Sequence, residues 1–153
     1  MYHLSVGDLL RKMGPTGPDI DTHTNRGIVL PGEEIVPILA SHISSLYKTE
    51  YVQKHPKVVL VDGFPRNLEQ EQLARKPLAL RTNGEFPNLV IEFQCPKEVL
   101  KERYVQRRRG KDDAELFEKR YGQHEREGLD IVRRYRERGF WWRLVCLPHL
   151  SWL

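Results

Sequence analysis

The stretch VVLVDGFPRN, residues 58–67, decides how this chain folds. Its first four residues are apolar, three of them β-branched, and they follow one another without alternation, as in a parallel strand covered on both faces. Asp62 ends the run, and Gly63 and Pro65 impose a tight turn after it. From Asn67 to Leu80 the sequence is rich in Glu, Gln, Leu and Ala and reads as a helix. NLVIEF at 88–93 repeats the arrangement, with Pro96 standing where the first helical residue would be, ahead of KEVLKERYVQRR. Strand then helix, twice, predicts an α/β fold built on a parallel sheet.

Outward from these two units the signals thin. HLSVGDLLR at 3–11 reads as a strand, a tight turn at Gly7 and a helix on which Arg11 lies one turn after Asp8. Residues 33–52 carry Ile35, Leu39, Ile43 and Leu46 at three- and four-residue steps, the stripe of an amphipathic helix. A last helix is expected from about Asp112 to Arg138, loosened by Gly122 and Gly128, and FWWRLVCLPHLSWL at 140–153 is expected to hold a strand near Leu144–Leu147. No internal repeat or low-complexity tract interrupts the chain.

Composition excludes several classes. With 153 residues the chain has room for about one domain, and 25 Lys and Arg against 21 Asp and Glu leave a net charge of +4. A content of 39% hydrophobic and 30% charged residues is that of an ordinary folded protein. No run approaches the roughly 18 apolar residues of a membrane helix, and Asp8 interrupts the apolar start where a secretory signal would avoid it, so no membrane association and a cytoplasmic address are expected. Two cysteines, Cys95 and Cys146, are too few for a disulfide framework, and the six histidines never fall three to five residues apart, which argues against a zinc hydrolase. The basic aromatic segment RRYRERGFWWR at 133–143 invites a nucleic-acid reading, but its cations alternate with Glu and the net charge is modest, so nucleic acid is not expected as a partner.

The chemistry concentrates at the end of the first strand. Open α/β sheets bind ligands at the carboxyl ends of their strands. An apolar strand ending in Asp62 suits a magnesium ion held directly or through water, and the turn through Gly63, Phe64 and Pro65 aims Arg66 back at the same crevice, where its planar fork can grip a phosphate. The alternative is a strand-end turn whose Asp caps the following helix, with Arg66 on the surface. Ser5 and Gly7 could admit a ligand to a helix N-terminus within reach of Arg11, or simply form a capped helix with a solvated arginine. Arg103 and Arg107 share a helix face and could clamp a polyphosphate, or form a solvated basic face.

Taken in order, these pieces resemble the adenylate kinase and UMP-CMP kinase family of nucleoside monophosphate kinases. HLSVGDLLR looks like the opening of that family's monophosphate-binding region, here about residues 12–55 with its entrance. RGIVLPGEE at 26–34 looks like its G-x-[IVL]-V-P-x-E stretch, VLVDGFPRN at 59–67 matches its most specific signature, and RRRGKDD at 107–113 looks like a shortened lid. The similarity runs from Tyr2 to about Arg120. It implies a P-loop NTPase-like parallel sheet with helices on both faces, and phosphoryl transfer from ATP to AMP with Mg2+.

The resemblance also implies roles. Val6, Gly7 and Arg11 would border the acceptor's phosphate with Gly63, Phe64, Pro65 and Arg66. The backbone of Ile28, Val29 and Leu30 would line its base, and Gln70 would hydrogen-bond that base. Glutamine there resembles the adenylate kinases, whereas UMP-CMP kinases carry asparagine, which favours AMP over CMP or UMP. Arg103, Arg107, Lys111 and Arg120 would meet the donor and the transferring phosphate, and Asp62 would sit near magnesium.

The departures are equally specific. Val6 stands where the family has Thr or Ala, and Lys111 replaces a lid arginine by a point charge. No G-x-x-x-x-G-K-[ST] occurs in the 153 residues. Residues 1–153 are therefore expected to form a single incomplete domain that lacks the first, central strand and its P-loop. Weak or no activity in isolation is the corresponding expectation, with a nucleotide-binding or regulatory module, or a UMP/CMP kinase, as the alternatives. An incomplete sheet is further expected to promote self-association.

Overall fold

The computed structural model describes residues 1–13, 28–48, 58–79, 86–107, 113–139 and 141–145. They fall into two compact units, Met1–Phe86 and Pro87–Leu153. Secondary structure follows a mixed α/β order with parallel strand pairing throughout, as the strand-then-helix pattern predicts.

In the first unit β1 (Tyr2–Ser5) pairs in parallel with β2 (Val59–Asp62), Tyr2 opposite Val59 and Ser5 opposite Asp62. Leu4 points into the core from β1, and Val59 and Val61 pack against the same core from β2. Among the described residues three helices close over it: α1 (Val6–Met13), α2 (Gly32–Tyr47) and α3 (Leu68–Ala79). The stripe of α2 is buried as its spacing requires, with Ile35, Leu39 and Ile43 in the core beside Leu78 of α3 and Phe64. Glu33 and Glu34 in its first turn complement the helix dipole. The helix ends at Tyr47 rather than at 52, and residues 49–52 of the expected span lie outside the described ones.

The second unit pairs β3 (Val90–Gln94) with β4 (Trp141–Val145), again in parallel, Val90 opposite Trp141. Between them run α4 (Lys97–Gln106), α5 (Ala114–Gln123), one π-helical turn at His124–Gly128, and α6 (Leu129–Glu137). The single long helix expected from 112 to 138 is thus real in extent but loosened into a wider turn that ends at Gly128. A side chain at Gly128 would meet the His124 ring at 2.3 Å, so only glycine lets that ring lie over the helix. Asp113 caps α5 by accepting from the Leu116 amide at 2.8 Å. Among the described residues of this unit, Phe117, Gly128, Ile131 and Tyr135 are buried.

Two expectations need correction. The unalternating runs around β2 and β3 suggested burial on both faces, yet Leu60 of β2 is 41% exposed and Phe93 of β3 73% exposed. The inward face of β2 and of β3 is half-buried and the other exposed, and among the described residues each sheet has only two strands. The expected strand at 144–147 begins instead at Trp141, whose indole is fixed by Glu92 of β3.

Candidate functional site

Ser5 and Asp62 end β1 and β2 as register partners, so two strand-to-helix connections leave the sheet side by side. In the first, β1 passes straight into α1, and the Ser5 hydroxyl accepts from the Asp8 amide at 3.3 Å. Gly7 is therefore the second residue of the helix rather than a tight turn of its own. Val6 turns its side chain into the core, leaving its backbone at the strand end. The bare Gly7 backbone is covered by Arg11, whose guanidinium would meet a Cβ there at 3.3 Å and which donates to Asp8 Oδ1.

The second connection has the same design with more anchoring. Gly63 takes a φ of +84°, a conformation that side chains disfavour, and the Phe64–Pro65 bond is cis. Phe64 is buried in the core and fixes the turn. Arg66 folds back over Gly63: its Nε donates to the Gly63 carbonyl at 2.9 Å, and its Nη2 would meet a Cβ on that glycine at 3.3 Å. At neighbouring strand ends, each connection thus carries an exposed arginine lying across its own glycine.

Gln70 ties this turn to the chain preceding α2. Its Oε1 accepts from the Arg66 amide at 2.8 Å, while its Nε2 donates to the Leu30 carbonyl at 2.8 Å. Asn67 caps α3 by accepting from the Gln70 amide at 2.9 Å. The Gln70 side chain is 2% exposed, and each end of the amide makes one bond to a backbone group in a buried setting, where unmet polar groups are costly. Gly32 brings α2 against α3: a Cβ there would lie 2.7 Å from Leu73 Cδ1, and its amide donates to Glu69 Oε1 at 3.1 Å. Ile28 is exposed, Val29 half-buried and Leu30 buried, and the Gln70 amide bridges the Leu30 carbonyl to the Arg66 turn. The contributions of Glu69 and Asn67 were not legible beforehand, because the Glu69 bond spans 37 residues and the Asn67 cap is one of many polar residues near a helix start.

Asp62 keeps an exposed carboxylate, 3.9 Å from His3 Nε2. No group of three or more His, Cys, Asp or Glu side chains able to hold a metal occurs among the described residues. A single carboxylate is a donor set that suits magnesium completed by water and phosphate oxygens, and does not suit zinc.

The expected donor-side cations lie in the second unit. Arg103 and Arg107 are one turn apart on α4, and the Arg103 carbonyl accepts the Arg107 amide at 3.2 Å. Arg120 is on α5. Arg107 lies over the Tyr104 ring, 4.2 Å from its centroid, and Arg120 Nη1 donates to the Tyr104 hydroxyl at 2.8 Å. Tyr104 was not singled out from the sequence; its three-residue step to Arg107 was a signal, its pairing with Arg120 was not. Lys111 and most of the expected lid, 108–112, lie outside the described residues.

The chain is similar to known proteins over most of its length. A family model described as an AAA domain matches residues 1–119. An adenylate kinase of Phocaeicola vulgatus is 30% identical over 145 residues, covering 90% of this chain and 72% of that protein. UMP-CMP kinase 2 of Oryza sativa subsp. japonica is 33% identical over 143 residues, covering 90% of this chain and 54% of that protein. An adenylate kinase of Helicobacter pylori strain Shi470 is 36% identical over 118 residues, 74% of this chain and 57% of that protein. This chain therefore spans between 54% and 72% of the length of these curated relatives. Both glycine–arginine connections fall within the residues that the family model matches. The chain belongs to the adenylate kinase and UMP-CMP kinase family of nucleoside monophosphate kinases.

Proposed function

We propose that this protein binds a nucleoside monophosphate at the carboxyl ends of β1 and β2 and acts in phosphoryl transfer from Mg2+-ATP to it, with AMP as the acceptor. The observation that carries this reading is the pair of exposed arginines, Arg11 and Arg66, on neighbouring strand ends. Their guanidiniums present paired donors to one phosphate group, a recognition for which arginine is better shaped than lysine. The base is taken against the backbone of Ile28, Val29 and Leu30. Gln70 retains one amide hydrogen and one lone pair beyond the two bonds it makes, which matches the donor and acceptor on the edge of adenine. Asp62 holds magnesium through water, and magnesium when bound neutralises the phosphate chain. Arg103, Arg107, Lys111 and Arg120 meet the donor and the charge that develops on the transferring group. The address is cytoplasmic, and no helix among the described residues is long and apolar enough to cross a membrane.

A second reading is favoured by one observation: the 153 residues contain no G-x-x-x-x-G-K-[ST]. Backbone N–H groups of such a loop cradle the donor's terminal phosphates, and side chains placed elsewhere do not reproduce that geometry. This polypeptide by itself is accordingly a monophosphate-binding module with little transfer. Titration calorimetry with AMP, CMP and UMP tests the pocket, and equal affinities for the three would overturn the assignment of Gln70. A coupled ADP-formation assay tests the chemistry: turnover of about 1–1000 per second, the ordinary enzymatic range, would overturn the module reading.

A further inference from the structure

Arg107 and Arg120 come from different helices, and what brings them together is a tyrosine. Tyr104 is half-buried on α4. The Arg107 guanidinium sits 4.2 Å from the centroid of its ring, and that of Arg120 5.6 Å from the same centroid. Arg120 Nη1 also donates to its hydroxyl at 2.8 Å. The ring cannot drift, because buried Phe117 meets it edge-on at 5.6 Å and 60°, and Tyr121 stacks on Phe117 in turn.

Two guanidiniums this near one another repel. The negative face of an aromatic ring offsets that repulsion for a cation lying over it, and a phenol oxygen offsets it for a cation donating to it. Tyrosine alone supplies both: phenylalanine lacks the oxygen, and an aliphatic residue lacks both. Two positive charges assembled in advance also suit a polyphosphate, whose charges sit on adjacent groups, because binding it then requires no reorganisation.

The geometry points to Tyr104 as a positioning residue that holds Arg107 and Arg120 as a preassembled cation pair for the phosphate chain of a nucleoside triphosphate. This rests on the reading that those two arginines meet phosphate. The division of labour within the residue makes it testable, since the hydroxyl serves Arg120 and the ring serves Arg107.

The experiment is titration calorimetry on the full chain at saturating AMP, with ATP and inorganic tripolyphosphate as probes, for wild type, Tyr104→Phe, Tyr104→Leu, Arg120→Met and the Tyr104→Phe/Arg120→Met double variant. Tyr104→Phe weakens both probes by a similar factor, roughly three- to tenfold, less than a direct hydrogen bond to a charged group because the hydroxyl acts through Arg120, and Tyr104→Leu weakens them further. In the Arg120→Met background Tyr104→Phe has no additional effect, which a merely structural role would not produce. AMP affinity stays unchanged in Tyr104→Phe. If Arg120→Met weakens both probes while Tyr104→Phe does not, the phosphate reading stands and the role of Tyr104 is overturned. If wild type binds AMP but neither probe, the phosphate reading for Arg107 and Arg120 falls and the inference falls with it.

Discussion

Arg66 combines two requirements that conflict in most surface arginines, since its head must be exposed to meet a ligand yet held in one orientation. The fold resolves this from three sides. Gly63 leaves room for the guanidinium, the Gly63 carbonyl accepts from its Nε, and Gln70 accepts from its backbone amide. Arg66→Ala should therefore weaken AMP binding by about 1.5–3 kcal/mol, the range for hydrogen bonds to charged groups, with little change in the unfolding midpoint; calorimetry and thermal unfolding separate the two. Gly63→Ala should lower both stability and affinity. A side chain at φ +84° costs about 1–2 kcal/mol of stability, and the same methyl displaces Arg66, so the midpoint falls and AMP affinity falls with it. Gln70→Leu should leave the Leu30 carbonyl and the Arg66 amide without their partner, at about 1–3 kcal/mol each, and remove any discrimination between AMP and CMP. The D-G-F-P-R signature was legible because a strand end, a glycine turn and an arginine follow one another in sequence. The bracing by Gln70 was not, because its Leu30 partner is 40 residues away.

At the scale of elements, a single carboxylate reinforces the pairing that holds β4 on β3. Glu92 Oε2 accepts from Arg136 Nη2 of α6's last turn and from the Trp141 indole, each at 3.1 Å, with Arg143 of β4 3.9 Å away. Arg136 and Arg143 lie near the Trp141 ring, 4.4 and 5.0 Å from its centroid. This explains why the strand starts at Trp141 rather than three residues later. Strand propensity alone favours Leu144 to Leu147, whereas the indole bond to a residue 49 positions earlier fixes the register, and no local pattern announces it. Burial by itself would raise the Glu92 carboxyl, but hydrogen bonds from Gln94, Arg136 and Trp141 and the charge of Arg136 outweigh it, holding the group below the ordinary carboxylate range. A carboxyl lowered on folding contributes stability above its unfolded value of about 4.3, and that contribution is lost as pH falls through the lowered folded value. Unfolding midpoints followed by tryptophan fluorescence should thus drop more steeply in wild type than in Glu92→Gln as pH falls below about 4.3. Parallel slopes in the two proteins would remove Glu92 as the determinant. Helix α4 offers a contrast: none of its residues is buried, and Lys97 and Lys101 each pair with Glu118 of α5 at 2.8 Å. Exposed pairs of this kind add little, so Tyr104, through its ring contact with Phe117 and its hydrogen bond from Arg120, is the firmer tie between α4 and α5.

The whole molecule carries an imbalance that its elements, taken singly, conceal. Its apolar runs are written for strands covered on both faces, yet each sheet has two strands of four or five residues among the described ones. Val58 and Leu60 at β2 and Ile91 and Phe93 of β3 are exposed, as are Trp142, Leu144 and Val145 of β4. On β3 the polarity is inverted, with Glu92 half-buried and Phe93 mostly in solvent. A two-stranded sheet leaves one backbone edge of each strand without a ladder partner, and short parallel pairs are the least able to stand alone. Exposed apolar residues beside such edges template further strand pairing. A domain's entire stability is about 5–15 kcal/mol, while each buried polar group lacking a partner costs about 1–3 kcal/mol, so a few such groups suffice to make the fold marginal. The purified 153-residue polypeptide should consequently unfold at low temperature or without a sharp transition, bind a hydrophobic dye, and self-associate as its concentration rises. The first unit should resist longest, because its core joins three helices to β1 and β2, and amides of Leu39 and Ile43 should exchange more slowly than any in β3. Sedimentation velocity, calorimetry and hydrogen exchange on one preparation decide the matter. A monomer with a single cooperative transition and uniform protection in β2 and β3 would mean that the exposed edges cost far less than their composition implies.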